Sequence, residues 1–445
     1  MQYLSRKIDI ALKQWKDKTQ RKPVMLRGTR QIGKTTVVRN LGKSFRYFLE
    51  INFENKDHAS AKTVFSKHSD PKIICSELSA LFGIPIVISE TLLFLDEIQN
   101  CPDAISSLRY FFEQMPDLHV IAAGSLLEFA LEEIPSFGVG RIDSMFMYPF
   151  SFSEFLSAAG YEAWTKIIDE AVLEKPVSDA IHEKILEQLK IFLIVGGMPE
   201  VVVEFIRTRD FLQCQRILNS LLVSFRDDFA KYKKRIPAAR INEVFSSVAQ
   251  QAEGKFIYEH VSQNLNNEQV KKSLDLLLMA GLCYQVTHSS ADGIPLGAGI
   301  NQKYRRIIPF DSGIYQRILN FNISDILLSD DFDAINKGAV AEIFVGCELK
   351  KNTSCYSNNE LYCWVREKKS SNAQIDYVVQ AGEKILPVEV KSGKQGKMQS
   401  MWLFLEEKKL EFGIRSSLEN FGQFGKIKTI PLYAIGKIAE GKYGQ

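Results

Sequence analysis

The chain has 445 residues, 45% of them hydrophobic and 24% charged, which is the composition of a folded chain of about three domains and excludes collagenous and disordered classes. A formal charge of +3 is too small to argue by itself for nucleic acid or an anionic membrane. Seven scattered cysteines without a C-x-x-C pair indicate neither a disulfide framework nor a zinc site and fit a reducing cytoplasm; no apolar run approaches a membrane span, since IFLIVGGMPEVVVEFI is broken by Gly-Gly and Pro-Glu.

The first segment, MQYLSRKIDIALKQW, spaces Leu4, Ile8, Leu12 and Trp15 at helical intervals, which predicts an amphipathic packing helix rather than an export signal. PVMLR comes next as a short apolar strand. GTRQIGKTT, Gly28 to Thr36, then fits the phosphate-loop pattern G-x-x-x-x-G-K-[ST] ahead of the helical TTVVRNL. The chemistry explains the spacing. Gly28 and Gly33 let the backbone curl, so that the N–H groups of the loop from Thr29, Arg30, Gln31 and Ile32 through to Thr36 turn inward on an anion. Lys34 reaches the β- and γ-phosphates, Thr35 offers a hydroxyl to Mg2+, and the helix adds its positive N-terminal end. The loop predicts a bound nucleoside triphosphate.

RYFLEINFE (Arg46 to Glu54) is the next strand, and TLLFLDEIQ (Thr91 to Gln99) reads as a buried parallel strand that delivers two acids to the carboxyl edge of a sheet. Asp96 is expected to hold Mg2+ through its water shell, and Glu97, differently directed, to orient or deprotonate the attacking water. HVIAAGS (His119 to Ser125) ends in a small polar residue; Ser125 is either a sensor of the γ-phosphate or part of a Gly-Ser turn between strand and helix. GVGR, Gly138 to Arg141, precedes the strand candidate IDSMFMYPF. Arg141 then lies on the surface of the module, either as a finger for the site of a neighbouring copy or as a salt-bridge residue.

Taken in this order, GTRQIGKTT, LFLDEIQ, AAGSLLEFA, GRIDSMFMYPFSFSEFL and GGMPE resemble the AAA+ ATPases of prokaryotes that carry a DUF4143 C-terminal region, over essentially the whole chain. The resemblance implies a five-stranded parallel sheet with helices on both faces, a small helical lid around IFLIVGGMPEVVVEFIRTR, and ATP with Mg2+ as ligand. AAGSLL stands where many relatives have Thr-Gly-Ser, which leaves the serine in place.

From Asp210 the pattern turns helical, FLQCQRILNSLLVSFRDDFAKYKKR running to Pro237 as a connector. Ile241 to Thr287 reads as helix, a second helix over IYEHVSQNL, a third over VKKSLDLLLMAGL, and then strand-like YQVT, a winged-helix arrangement. Its third helix either enters a DNA groove with Lys271 and Lys272 or serves protein docking. KYKKR, Lys231 to Arg235, is a further basic candidate or a solvated helix end, and KYRRIIPFDSG resembles the link of the family into its last domain.

The tail carries AQIDYVVQAGEKILPVEVKSG, two strands about an AGEK turn. With Gly382 and Glu383 as the loop residues, Asp376 faces Glu389, and alternation puts Lys391 on the same side while Val388 and Val390 point to a core. Opposed like charges call for a cation, either a divalent metal or Lys391. With Glu342 on the helix GAVAEIFVGCELKK, this set resembles the PD-(D/E)xK nuclease fold, with Ile-Asp in place of Pro-Asp. The resemblance implies that Glu342, Asp376 and Glu389 bind a metal and that Lys391 positions or activates water; a degenerate, ion-paired copy is the alternative.

The expected architecture is α/β: an AAA+ P-loop ATPase module with a parallel five-stranded sheet and helical lid over residues 1–209, a helical connector and winged-helix domain over 210–313, and a restriction-endonuclease-like α/β domain over 314–445. The expected function is ATP hydrolysis coupled to the nuclease-like domain, acting on DNA or RNA; the alternative is a slow nucleotide-dependent switch or scaffold for a protein partner. Cofactors are ATP and Mg2+, with a second divalent metal at the C-terminal site. Further copies of the chain are partners through Arg141, a membrane is not, and the compartment is the cytoplasm.

Overall fold

The computed structural model describes residues 3–125, 127–128, 131, 140–232, 236–321, 337–367, 372–391 and 398–442. Gly138 of the GVGR segment and Lys233, Lys234 and Arg235 of the basic run lie outside the described residues. The chain divides into two compact units, Met1–Tyr148 with Ser354–Asn358, and Pro149–Thr353 with Asn359–Gln445.

In the first unit the strands are β1 (Val24–Arg27), β2 (Tyr47–Asn52), β3 (Thr91–Asp96), β4 (His119–Ala123) and β5 (Asp143–Phe146), and the helices are α1 (Ile8–Lys16), α2 (Lys34–Gly42), α3 (Ala59–Lys67), α4 (Pro71–Phe82) and α5 (Pro102–Gln114). The order across the sheet is β2-β3-β4-β1-β5, with every pairing parallel. Every residue of β3 and β4 is buried, as apolar runs covered on both faces require. Ile8, Leu12 and Trp15 form the buried stripe of α1, in agreement with the helical spacing of the sequence. Because β4 is inserted between β1 and β3, the chain leaving β1 does not return to its neighbour. The crevice at the carboxyl ends of β1, β4 and β3 is therefore the place where an open parallel sheet binds ligands.

In the second unit, helices Asp179–Val195 and Pro199–Thr208 meet at Gly196-Gly197, within the segment expected to be the lid. The sequence requires glycine twice here. Gly196 has φ of 72°, and a Cβ on it would lie 2.3 Å from Asp311 Oδ1; a Cβ on Gly197 would lie 2.3 Å from the Phe150 carbonyl oxygen. Asp311, fully buried, accepts hydrogen bonds from the N–H groups of Gly197 (2.7 Å), Gly313 (2.9 Å) and Ile314 (3.1 Å). One carboxylate thus ties the glycine corner to the start of the helix Ser312–Ile318.

Farther along come the helices Phe211–Asp228, Ala238–Gln250 and Asn267–Met279. The expected helix over IYEHVSQNL is a correction: only a single 3-10 turn, Tyr258–His260, forms there. Its polar residues bend the chain instead. The Asn264 N–H donates to Ser262 Oγ, and Asn266 with Gln269 builds a capping box for the next helix. The strands β6 (Cys283–Ser289) and β7 (Ile300–Pro309) form an antiparallel pair, and β6 also lies parallel to β8 (Leu361–Val365). With β9 (Gln374–Ala381), β10 (Lys384–Val390), β11 (Gly413–Ser417), β12 (Gly422–Phe424) and β13 (Ile427–Pro431) they make one eight-stranded sheet, ordered β12-β13-β11-β10-β9-β8-β6-β7.

Replacing Asp311 by Ala leaves three buried N–H groups without their acceptor, each costing about 1–3 kcal/mol. The expected outcome is a calorimetric melting transition lowered by several degrees for Asp311→Ala, with Asp311→Asn, which keeps one acceptor oxygen, falling between it and the wild type.

Candidate nucleotide site and C-terminal charge cluster

The pairings Leu26↔Ala123 and Asn52↔Asp96, together with Leu95↔Ala122, end the strands at one level. The segments that leave the strands therefore converge: the loop Gly28–Gly33 after β1, Glu97 after β3, and Gly124-Ser125 after β4. Gly28 has φ of 142°, and a Cβ there would lie 2.2 Å from the Met147 carbonyl oxygen. Gly33, with φ of 90°, is the left-handed residue from which α2 starts at Lys34. The two motif glycines are thus required by backbone conformation and close approach.

Inside the loop, Lys34 Nζ donates to the carbonyl oxygens of Gly28 and Thr29, each at 2.8 Å. Burial lowers its pKa to about 8, against the pull of Glu97 and then Asp96. Thr35 Oγ1 donates to Asp96 Oδ2 at 3.0 Å, and Asn52 Nδ2 reaches the same oxygen at 3.3 Å. Asp96 is pushed up to about 6 by burial and then by the adjacent Glu97. A buried carboxylate beside a hydroxyl at the mouth of a phosphate loop fits a hydrated divalent cation, whose charge would lower that pKa. Glu97 has φ of 50° and ψ of 43°, left-handed for a residue with a Cβ. Its Oε2 accepts from Gln99 Nε2 at 2.6 Å and from Ser125 Oγ at 3.1 Å. Thr29 and Ile32 are buried and Thr36 is exposed. Arg6 braces the loop from outside, donating to the carbonyl oxygens of Ile32 (3.2 Å) and Tyr148 (2.7 Å). Arg141 is 49% exposed and forms an ion pair with Glu113 at the end of α5.

In the second unit the β9–β10 ladder runs from Lys384↔Ala381 to Val388↔Tyr377, the register in which Glu389 comes opposite Asp376. Both are buried. Lys391 Nζ lies 2.7 Å from Glu389 Oε1, and Asp376 Oδ2 accepts the Val390 N–H at 2.8 Å. Glu342 meets a cation that no sequence motif announces: Arg306 of β7, buried, holds Glu342 Oε2 at 2.5 Å and the Asp376 carbonyl oxygen at 2.9 Å. Its guanidinium lies over the Tyr377 ring, 4.7 Å from the centroid. Burial, and then Asp376, push Glu342 up to about 8 against Arg306, and burial raises Asp376 and Glu389 as well. Among the described residues no three Asp, Glu, His or Cys side chains group to hold a metal. Within the expected three-carboxylate set, Arg306 engages Glu342, and Glu389 Oε2 is buried without a protein partner.

Three family models match in succession: an AAA domain over residues 20–156, a domain of unknown function (DUF8612) over 186–325, and another (DUF4143) over 337–435. The chain is an AAA+ ATPase with a DUF4143 C-terminal region. The AAA domain match contains the phosphate loop, Asp96, Glu97 and Ser125, the residues that the parallel sheet brings to one edge. Two uncharacterized proteins, of Mycobacterium bovis and Mycobacterium tuberculosis, are each 24% identical over 379 residues, 83% of this chain and 70% of theirs. A solved Walker-type ATPase of Pyrococcus abyssi is similar over 72% of this chain and 96% of its own, at 14% identity and a TM-score of 0.46. The identification rests on the family models and on the site, not on that likeness.

Sequence patterning alone did not single out Asn52, Gln99, Arg6 or Arg306 of this AAA+ ATPase. A polar residue at the carboxyl end of a strand candidate was a usable signal for Asn52, and its nearness to Glu97 was one for Gln99. Nothing local marks Arg6 or Arg306, whose guanidinium groups reach Ile32 and Glu342, 26 and 36 residues away. For Lys34→Ala, titration calorimetry is expected to show no ATP binding, while the unliganded variant melts no lower than the wild type, because a desolvated ammonium has been removed.

Proposed function

We propose that this AAA+ ATPase binds ATP with Mg2+ and hydrolyses it at the carboxyl edge of the parallel sheet. The observation that carries the reading is the convergence of Lys34, Thr35, Asp96, Glu97 and Ser125, with the Glu97 carboxylate held by Ser125 Oγ at 3.1 Å. Thr35 and Asp96 would hold the Mg2+, which neutralises phosphate charge. Lys34 would exchange its two carbonyl partners for the β- and γ-phosphate oxygens. Glu97 accepts the proton of a water whose oxygen bonds to the γ-phosphorus as the bond from that phosphorus to the bridging oxygen breaks, its electron pair leaving on ADP. Ser125, bonded to the same carboxylate, reports to Glu97 whether a γ-phosphate is present. Arg141 as a finger between copies belongs to this proposal, since an exposed pair such as Arg141–Glu113 is worth at most about 1 kcal/mol and is readily exchanged.

For the second unit the reading is regulatory, with the winged-helix and nuclease-like portions serving as a nucleotide-dependent switch or scaffold for a protein partner. Its support is Arg306, a counter-charge fixed inside the acidic cluster. Lys272 pairs with Glu268 at 2.7 Å, which weakens the helix 267–279 as a basic reading face. Cleavage of DNA or RNA is the second reading, favoured by the unpartnered Glu389 Oε2 and the adjacent Lys391.

Two outcomes are expected. Glu97→Gln keeps ATP affinity within about threefold and loses 100-fold or more in kcat, as removal of a general base predicts; hydrolysis at the wild-type rate removes Glu97 from its role. A crystal soaked in millimolar Mn2+ is expected to show no anomalous density between Asp376 and Glu389, and no metal-dependent cleavage of single- or double-stranded DNA or RNA is expected with or without ATP. Density together with cleavage that Asp376→Ala abolishes would establish the nuclease instead.

A further inference from the structure

Gln99, two residues beyond Glu97, makes contacts that a solvated polar side chain would not. Its Nε2 donates to Glu97 Oε2 at 2.6 Å, which fixes the amide orientation, since an amide oxygen turned to the carboxylate would be repelled. The Oε1 atom therefore points the other way, toward Gly124, where it is buried and has no protein hydrogen-bond partner. Gly124 makes room for it: a Cβ there would lie 2.2 Å from Gln99 Oε1. The next residue is Ser125, whose Oγ closes on the same carboxylate oxygen at 3.1 Å.

These contacts leave Gln99 Oε1 as an acceptor still to be filled. Nitrogen and oxygen of one amide are about 2.2 Å apart, so Gln99 Oε1 lies within about 5 Å of Glu97 Oε2, a gap that one water spans with two ordinary hydrogen bonds. A buried carbonyl oxygen without a donor is destabilising, and a water would complete it.

We propose that Gln99 orients the water that attacks the γ-phosphate. Its Nε2 fixes the Glu97 carboxylate, and its Oε1 accepts a hydrogen bond from one O–H of the water. The other O–H gives its proton to Glu97 as the water oxygen bonds to phosphorus and the bridging oxygen leaves with its electron pair on ADP. Two acceptors on one water leave a lone pair facing the phosphate. The inference deepens the reading of Glu97 as the proton acceptor and rests on it.

The test compares full-length wild type, Gln99→Leu, Gln99→Glu, Gly124→Ala and Glu97→Gln for kcat, KM, ATP affinity by calorimetry and melting temperature. Gln99→Leu is expected to lower kcat roughly 10- to 100-fold, the cost of a misplaced nucleophile, with ATP affinity unchanged within threefold. Gln99→Glu keeps an acceptor but sets a like charge against Glu97, so the rising limb of its pH–kcat profile is expected to move to higher pH. Gly124→Ala pushes the amide aside and is expected to lose kcat in the same direction. If Gln99→Leu keeps kcat within twofold while Glu97→Gln is inactive, the inference is overturned and the base assignment stands. If Glu97→Gln itself turns over at the wild-type rate, the base assignment fails and takes the inference with it. A fall in melting temperature and ATP affinity with kcat preserved would make Gln99 a structural residue and also overturn the proposal.

Discussion

In a parallel sheet every strand ends at the same edge, so the residues that come after β1, β4 and β3 are neighbours however far apart they lie in sequence. In this chain the matched register of those strands brings the phosphate loop, Ser125, and the pair Asp96-Glu97 to one crevice. The insertion of β4 between β1 and β3 is the decisive detail. Were β3 the direct neighbour of β1, Ser125 would lie beyond the acids instead of between them and the loop. A shift of one residue in the pairing of β3 would turn Asp96 away from Thr35, because strand side chains alternate in direction.

The two charged clusters solve the cost of buried charge in opposite ways. At the nucleotide site Lys34 is satisfied only by the carbonyl groups of its own loop, and Asp96 sits among neutral hydrogen-bond donors with Glu97 beside it. The proposed magnesium triphosphate would bring both signs of charge to these two residues. The C-terminal cluster carries its own counter-charges, since Arg306 holds Glu342 and Lys391 holds Glu389. Arg306 is buried, and removing one partner of a buried pair is strongly destabilising, whereas Lys391 is partly exposed.

Glycine serves both units in the same physical way. At Gly28, Gly124, Gly196 and Gly197 a Cβ would collide with a named oxygen: that of Met147, Gln99, Asp311 or Phe150. In each case the missing side chain lets a hydrogen-bonding group approach a backbone corner closely. GGMPE, met in the sequence only as part of a family pattern, thereby acquires a cause: its glycines let Asp311 and the Phe150 carbonyl reach the corner between two helices.

By itself the sequence determined whatever depends on near neighbours along the chain. The phosphate loop, the start of α2, the buried strand ending in Asp96-Glu97, and the hairpin register that sets Asp376 against Glu389 all derive from spacing, alternation and turn chemistry within some twenty residues. The helix expected over IYEHVSQNL did not form because Ser262, Asn264 and Asn266 offered local hydrogen bonds that competed with it, and a count of apolar positions weighs those bonds too lightly. Tertiary structure alone decided the strand order, the bracing of the loop by Arg6, and the burial of Arg306 between Glu342 and the backbone of Asp376. Those outcomes depend on which distant segments share an interior, and a buried charge takes its partner from whatever the fold places within reach of it.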